Sequence, residues 1–268
     1  MDSMDIPEIR KASEEVSEEV LTATSELTAA FPASMSRRRL LQGAAAGVAG
    51  ATVAGVAAAT LLNAHAVHAE AASGGATLKE FFSILATGEA LFVTFYSNAI
   101  AQHQQLGLFG SALNGLKAIR AEEQIHLNFA VSQGGTLATT HFSMPHGHQT
   151  FEDRDLFLQT QQLSEELTNG ALLAWIKDMA SMGRPRLAEL GGQLMQVEGG
   201  HRVFGRVLLG VDPIPNWGFG PVVLDHFTQV PAAVTAAGFL SPKPGNDFEF
   251  HPVSPSFPGV IHTTPGNM

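Results

Sequence analysis

Cysteine is absent from these 268 residues. That excludes disulfides, iron–sulfur clusters, thiolate zinc sites and cysteine nucleophiles. Any metal must then be held by carboxylate and imidazole, ligands that suit iron, manganese and zinc. Positive charge is also scarce: 15 Lys and Arg stand against 25 Asp and Glu, a net charge of -10, with no long basic cluster beyond Arg39. This balance argues against nucleic acid as a partner. Tyrosine occurs once, at Tyr96, and tryptophan twice.

The first quarter of the chain does not have the pattern of a packed domain. Residues 1–34 carry Asp2, Asp5, Glu8, Glu14, Glu15, Glu18, Glu19 and Glu26 with little apolar periodicity, and are expected to be either a disordered lead from Met1 or a stretch ahead of a true start at Met35. Ser36-Arg37-Arg38-Arg39 then precedes an uncharged Ala/Gly-rich run to about Leu62 and small residues at Val67 and Ala69. A basic segment, an apolar segment and a small-x-small site make a secretory signal; the arginines after Ser36 resemble the twin-arginine export type. Cleavage is expected after Ala69, leaving 10 basic and 17 acidic side chains. The competing reading is an uncleaved anchor, since about 23 uncharged residues can span a bilayer. Gly43, Gly47, Gly50 and Gly55 and the weakly apolar composition favour the cleaved signal. Localisation would be periplasmic or extracellular, with membrane contact only through an uncleaved segment.

The informative stretches lie further on. Glu122-Glu123-Gln124-Ile125-His126 and Val197-Glu198-Gly199-Gly200-His201 each contain Glu-x-x-His, which on a helix puts carboxylate and imidazole on one face, one turn apart. Chance gives roughly 0.7 such pairs in a chain of this composition, so the spacing alone says little. Context adds weight. Residues 77–105 are expected as a helix capped by Thr77, with the stripe Leu78, Phe82, Leu85, Glu89, Phe92, Tyr96, Ala99. A second, from an N-cap at Ser111 to Gln133, has Leu116, Ile119, Glu123, His126, Ala130. A third, about Asp153 to Met182, offers Glu166 with Leu163, Gly170 and Leu173, or Glu165 with Leu158, Gln162, Asn169 and Leu172. The more apolar stripe favours Glu166, with Glu165 in reserve. A fourth, from Pro185 to Gly210, has Leu187, Gly191, Leu194, Glu198, His201, Gly205, Leu208. Gly199 and Gly200, between its two polar positions, suggest close approach by a helix or a ligand.

One Glu from each of two helices and Glu-x-x-His from each of the other two is the four-helix di-metal carboxylate plan. Glu89 and Glu166 would be terminal ligands, Glu123 and Glu198 bridging, and His126 and His201 would each bind one metal. Four carboxylates against two divalent cations make the buried set neutral, whereas without metal the acids would take up protons. The bland alternative is a set of Glu–His hydrogen-bonded pairs, but six residues in the right order over four helices favour the metal. Tyr96 is either core packing or an electron-transfer group, and Trp175 reads as core. The 134–153 connection, with His141, His146 and His148, is long for a compact domain, but the di-metal plan needs a long crossover between its second and third helices. Its histidines read as a solvated stretch rather than a metal site. Beyond Val211 the chain becomes proline-rich, with one short helix expected near Gln229–Phe239, and is expected to pack against the helices.

With Glu89 followed by Phe95-Tyr96, Ala121-Glu122-Glu123-Gln124-Ile125-His126, Glu198-Gly199-Gly200-His201 and a proline-rich end, the chain resembles the ferritin-like domain proteins of the desiccation-related type over about residues 77–240. The resemblance implies an all-α fold: a ferritin-like four-helix bundle at residues 70–210, with the long crossover between helices two and three, and an irregular C-terminal extension at 211–268. It implies a site of two iron or manganese ions per chain, with Glu89, Glu123, His126, Glu165 or Glu166, Glu198 and His201 as metal residues. Two functions are open: a di-metal oxidoreductase acting on peroxide, dioxygen or ferrous iron, or a non-catalytic stress protein whose site is structural or empty. Metal ions and small oxidants would be its partners; a homo-oligomer is compatible with the sequence, which sets no oligomeric state.

Overall fold

The computed structural model describes residues 76–213 and 218–266. The acidic lead, the Met35 start, the twin-arginine segment and the cleavage site after Ala69 lie outside the described residues. The described chain is helical: α1 Leu78–Ala101, α2 Ser111–Ser132, α3 Arg154–Ser181, α4 Pro185–Leu208 and the short α5 Val230–Ala236. Two short strands, β1 His141–Phe142 and β2 Phe248–Glu249, pair antiparallel.

Local signals account for most helix ends. Thr77 and Glu80 form a reciprocal capping box at the start of α1, with Glu80 Oε2 accepting from the Thr77 N–H at 2.7 Å. Asp153 caps α3 by accepting from the N–H groups of Asp155 and Leu156. Pro185 occupies the first turn of α4, where its missing N–H costs nothing. Gly134, Gly183 and Gly210 follow the ends of α2, α3 and α4 with φ between 67 and 91°. The expected Ser111 cap is not used: Gly110, at φ 54°, precedes the helix, Ser111 is its first residue, and no side chain caps it.

Helix α1 packs chiefly on α2 and α3 on α4, with α2 also meeting α4. Ring contacts tie α1 to α3: Trp175 stands edge-on to Phe81 and Phe82 at 5.7 and 5.3 Å. Trp175 is fully buried and donates its indole N–H to Leu187 O at 2.7 Å, so it is a core residue with its polar handle satisfied.

The connection between α2 and α3 holds β1 and a 3₁₀ turn at Gly147–Phe151. It is stitched to the C-terminal region, because β2 is the partner of β1, with His141 opposite Glu249 and Phe142 opposite Phe248. Further along, Val253 N–H donates to Gln124 Oε1 at 2.9 Å and Gly266 N–H to Gln193 Oε1 at 3.0 Å. The proline-rich region therefore lies along the helices. Asp178, buried on α3, anchors its start by accepting from Phe227 N–H at 2.8 Å and pairing with His226 Nδ1 at 2.9 Å.

Candidate metal centre

Four helices each deliver a buried carboxylate to one place. Glu89 comes from the middle of α1, Glu123 from α2, Glu165 from α3 and Glu198 from α4. His126 and His201, one turn beyond Glu123 and Glu198, point into the same region. All six side chains are buried, and Glu123, Glu165 and Glu198 have no exposed surface. They form two overlapping quartets whose ligand atoms lie within 4.8 Å of one another: Glu89, Glu123, His126, Glu198, and Glu123, Glu165, Glu198, His201. Glu123 and Glu198 belong to both. These groups could hold a metal ion.

The donor set fits a cation. Glu89 Oε2, both Glu123 oxygens, Glu165 Oε2, Glu198 Oε1 and His126 Nδ1 are buried without a hydrogen-bond partner. Several come within ion-pair range, such as His126 Nδ1 at 3.2 Å from Glu198 Oε1 and 3.7 Å from Glu89 Oε2, but not with hydrogen-bonding geometry. Buried acceptors left unpaired are costly, and here they face one another.

Burial drives the protonation chemistry. Desolvation, reinforced by neighbouring carboxylates, holds the Glu89 and Glu165 carboxyls well above their ordinary value. Burial would push both imidazoles down. The close Glu123, Glu198 and Glu89 carboxylates around His126, and the Glu198 charge with contacts from Glu122 and Glu123 around His201, outweigh it and raise them. Glu198 goes the other way: burial raises it, but the two imidazoles hold it below the usual carboxylate range. In the metal-free chain these shifts favour protons on Glu89, Glu165 and the two imidazoles, and a cation bound there would compete with them.

Three residues join the site that the apolar stripes did not identify as ligands or supports. Glu122 Oε2 lies 2.8 Å from His201 Nε2, leaving Nδ1 of that ring facing Glu123 at 3.2 Å and Glu198 at 3.0 Å. A carboxylate behind a ligand imidazole fixes its orientation and raises its basicity. Tyr96 donates its buried hydroxyl to Glu165, and burial together with the Glu165 and Glu123 charges raises its pKa well above 10.0. Gln161 Nε2 donates to His201 O at 2.9 Å and to Tyr96 Oη at 3.3 Å. Gly205 makes room for it, since a Cβ there would overlap the Gln161 amide. The doubled Glu122-Glu123 and the glycine one turn after His201 were the available signals.

Glu166 is not part of the centre. Its side chain is about a third exposed and accepts from Arg202 Nη2 at 2.7 Å. Glu165 takes the position for which Glu166 was favoured. The polar face of α3, with Thr160, Gln161, Ser164 and Glu165 all buried, turns inward because the centre itself is polar. Gly199 and Gly200 do not mark a close approach either: a Cβ at Gly200 would meet nothing within 4 Å, and at Gly199 only Asn169 Oδ1 at 4.0 Å. In the crossover, His141 Nδ1 pairs with Asp247 at 2.9 Å and His148 packs on Phe248, and none of its three histidines joins a metal-ligand group among the described residues.

Comparison of the chain with protein-family models, with curated proteins and with solved structures gives no match.

Proposed function

We propose that the protein is an exported, ferritin-like four-helix bundle with a dinuclear iron or manganese centre that reacts with peroxide, dioxygen or ferrous iron. One observation carries the reading: two quartets of buried ligands share Glu123 and Glu198, so two cations placed there would share two carboxylates. Glu89 and His126 would complete one position, Glu165 and His201 the other. Two divalent ions against the four carboxylates leave the buried set neutral, which removes the cost of burying the acids bare. Bound there, the pair of ions would supply or accept two electrons in exchange with a small oxidant or with ferrous iron.

The chain's own groups set the conditions for that chemistry. Glu122 holds His201, and Gln161 and Tyr96 hold the Glu165 side, so this half keeps its geometry as charge changes. The Tyr96 hydroxyl keeps its proton and presents it to Glu165. Ser36-Arg37-Arg38-Arg39 supports twin-arginine export, which carries folded proteins and would let metal be chosen before export. The sequence resemblance to desiccation-related proteins supports a place in stress protection.

A second reading keeps the metal but not the turnover. The complete burial of Glu123, Glu165 and Glu198 favours it, because a closed centre can staple four helices without meeting a substrate. Assays of peroxide loss, dioxygen uptake and ferrous oxidation by the metal-loaded full chain separate the two. Turnover that Glu165→Ala removes supports the redox function. Stoichiometric metal without turnover, with a melting temperature that falls on chelation, overturns it in favour of the staple.

A further inference from the structure

An apolar cavity of about 50 Å³ lies against Glu89, enclosed by α1, α3 and the C-terminal residues Phe227–Phe239. Its polar side chains are already occupied with their own helices. Ser164 Oγ donates to Gln161 O at 2.9 Å and Thr168 Oγ1 to Ser164 O at 3.0 Å. Glu89 is the exception, with Oε2 buried and unpartnered. A second cavity of about 370 Å³ lies outside the first, between the N-terminal half of α1 and α5. Five residues line both: Ile84, Gly88, Leu91, Val230 and Val234.

Gly88 is the informative member. It sits in the middle of α1, one residue before Glu89, where glycine weakens a helix. No neighbour requires it, since no heavy atom lies within 4 Å of where its Cβ would stand. Gly88 lines both cavities, so the space it leaves borders each of them. α5 forms the opposite wall, and the residues leading into it are held by Asp178, which accepts from Phe227 N–H, and by Lys177 Nζ donating to Asp225 O at 3.1 Å.

We propose that the two cavities are one route, and that a neutral straight-chain alkyl compound binds in it with its apolar end beside Glu89. The lining is chiefly aliphatic and aromatic side chains that contact methylene groups, and the Ser164 and Thr168 hydroxyls are already engaged. A small gas would need no outer chamber several times larger than the inner one. A carboxylate head group is disfavoured because Glu80 lines the outer cavity, its own carboxylate held in the charged form by the Thr77 cap. As a substrate site this rests on the dinuclear reading above; as a binding site it does not. The route would bring an alkyl substrate to the Glu89/His126 position and leave the Glu165/His201 position enclosed.

The test uses the full chain, metal-loaded and metal-free, with 1-decanol, decanoate and the neutral fluorescent probe N-phenyl-1-naphthylamine. Decanol should displace the probe and, at ten times its dissociation constant, raise the melting temperature by about 3–5 °C. Decanoate should bind at least about tenfold more weakly. Gly88→Leu fills this space with a better helix former and should fold, keep its metal content and lose at least about tenfold in decanol affinity. Gly88→Ala should lie between. Unchanged decanol binding in Gly88→Leu, equal binding of decanoate, or no binding of decanol would each overturn the proposal. Gly88-dependent binding by a chain that takes up no metal would leave this site standing and defeat the dinuclear reading; metal uptake without decanol binding would do the reverse.

Discussion

The two halves of the centre are built from the same residue types and held very differently. On one side His201 has Glu122 at its Nε2 and Glu198 at its Nδ1, its backbone carbonyl is taken by Gln161, and Glu165 accepts from Tyr96. On the other side His126 Nδ1 faces Glu198, Glu89 and Glu123 without a hydrogen bond, and among the described residues nothing bonds its Nε2. Glu89 on that side borders an apolar cavity. A Glu-x-x-His motif therefore sets which atoms meet, and the residues behind it decide how firmly they are held. On the proposed dinuclear reading, the supported half would retain its ion and the unsupported half would exchange one or admit a substrate.

The comparison breaks most completely where the halves overlap. Glu198→Ala removes a carboxylate from both quartets, and both ions should be lost, read as metal per chain after gel filtration. Glu89→Ala and Glu165→Ala should each cost one ion instead, and the ion that remains should be held more tightly in Glu89→Ala, which leaves the supported half intact. Glu122→Gln sharpens the contrast: affinity at the His201 position should fall about 10–100-fold, the usual cost of losing a carboxylate behind a ligand imidazole, with the His126 position unaffected. Competition with a chelator of known affinity measures both.

A smaller effect separates the metal-free from the loaded chain. Glu89 and Glu165 are raised above the ordinary 4.5 by burial, and His126 and His201 above 6.5 because surrounding carboxylates outweigh burial. Each raised group contributes stability that is fully present below its unfolded value and is lost as pH rises through its folded one. Glu198, depressed, contributes stability present above 4.5 and lost as pH falls through its folded value. The Glu198 window lies below 4.5 and the raised groups act above it, so the melting temperature of the metal-free chain should fall as pH climbs above 4.5, with the imidazoles adding to the fall above 6.5, and that of the loaded chain should stay flatter because the ions have displaced the protons. The smallest effect belongs to Glu166: Glu166→Gln should leave metal content unchanged, since its partner is Arg202 and not the centre.

The helices and five of the six buried residues of the centre could be read from local pattern. Thr77, Asp153, Pro185 and the terminal glycines act within a few residues of themselves, and Glu89, Glu123, His126, Glu198 and His201 interrupt otherwise apolar stripes. Helix α3 defeated that logic. Its inward face is polar because it borders charged groups, so choosing the more apolar stripe selected Glu166 over Glu165. Glu122 was out of reach for another reason: its partner, His201, is 79 residues away and on a different helix. The C-terminal region offered proline and few periodic positions, and nothing local in it signals that Phe248–Glu249 pairs with the crossover or that Val230 and Val234 wall a cavity.

Metal stoichiometry tests the central claim most directly, measured by mass spectrometry on the full chain and on Glu123→Ala prepared alongside. The account predicts two iron or manganese ions per chain and their loss in Glu123→Ala while its circular dichroism stays helical. A chain that is folded and carries no stoichiometric metal, or a Glu123→Ala variant that keeps both ions, would contradict it.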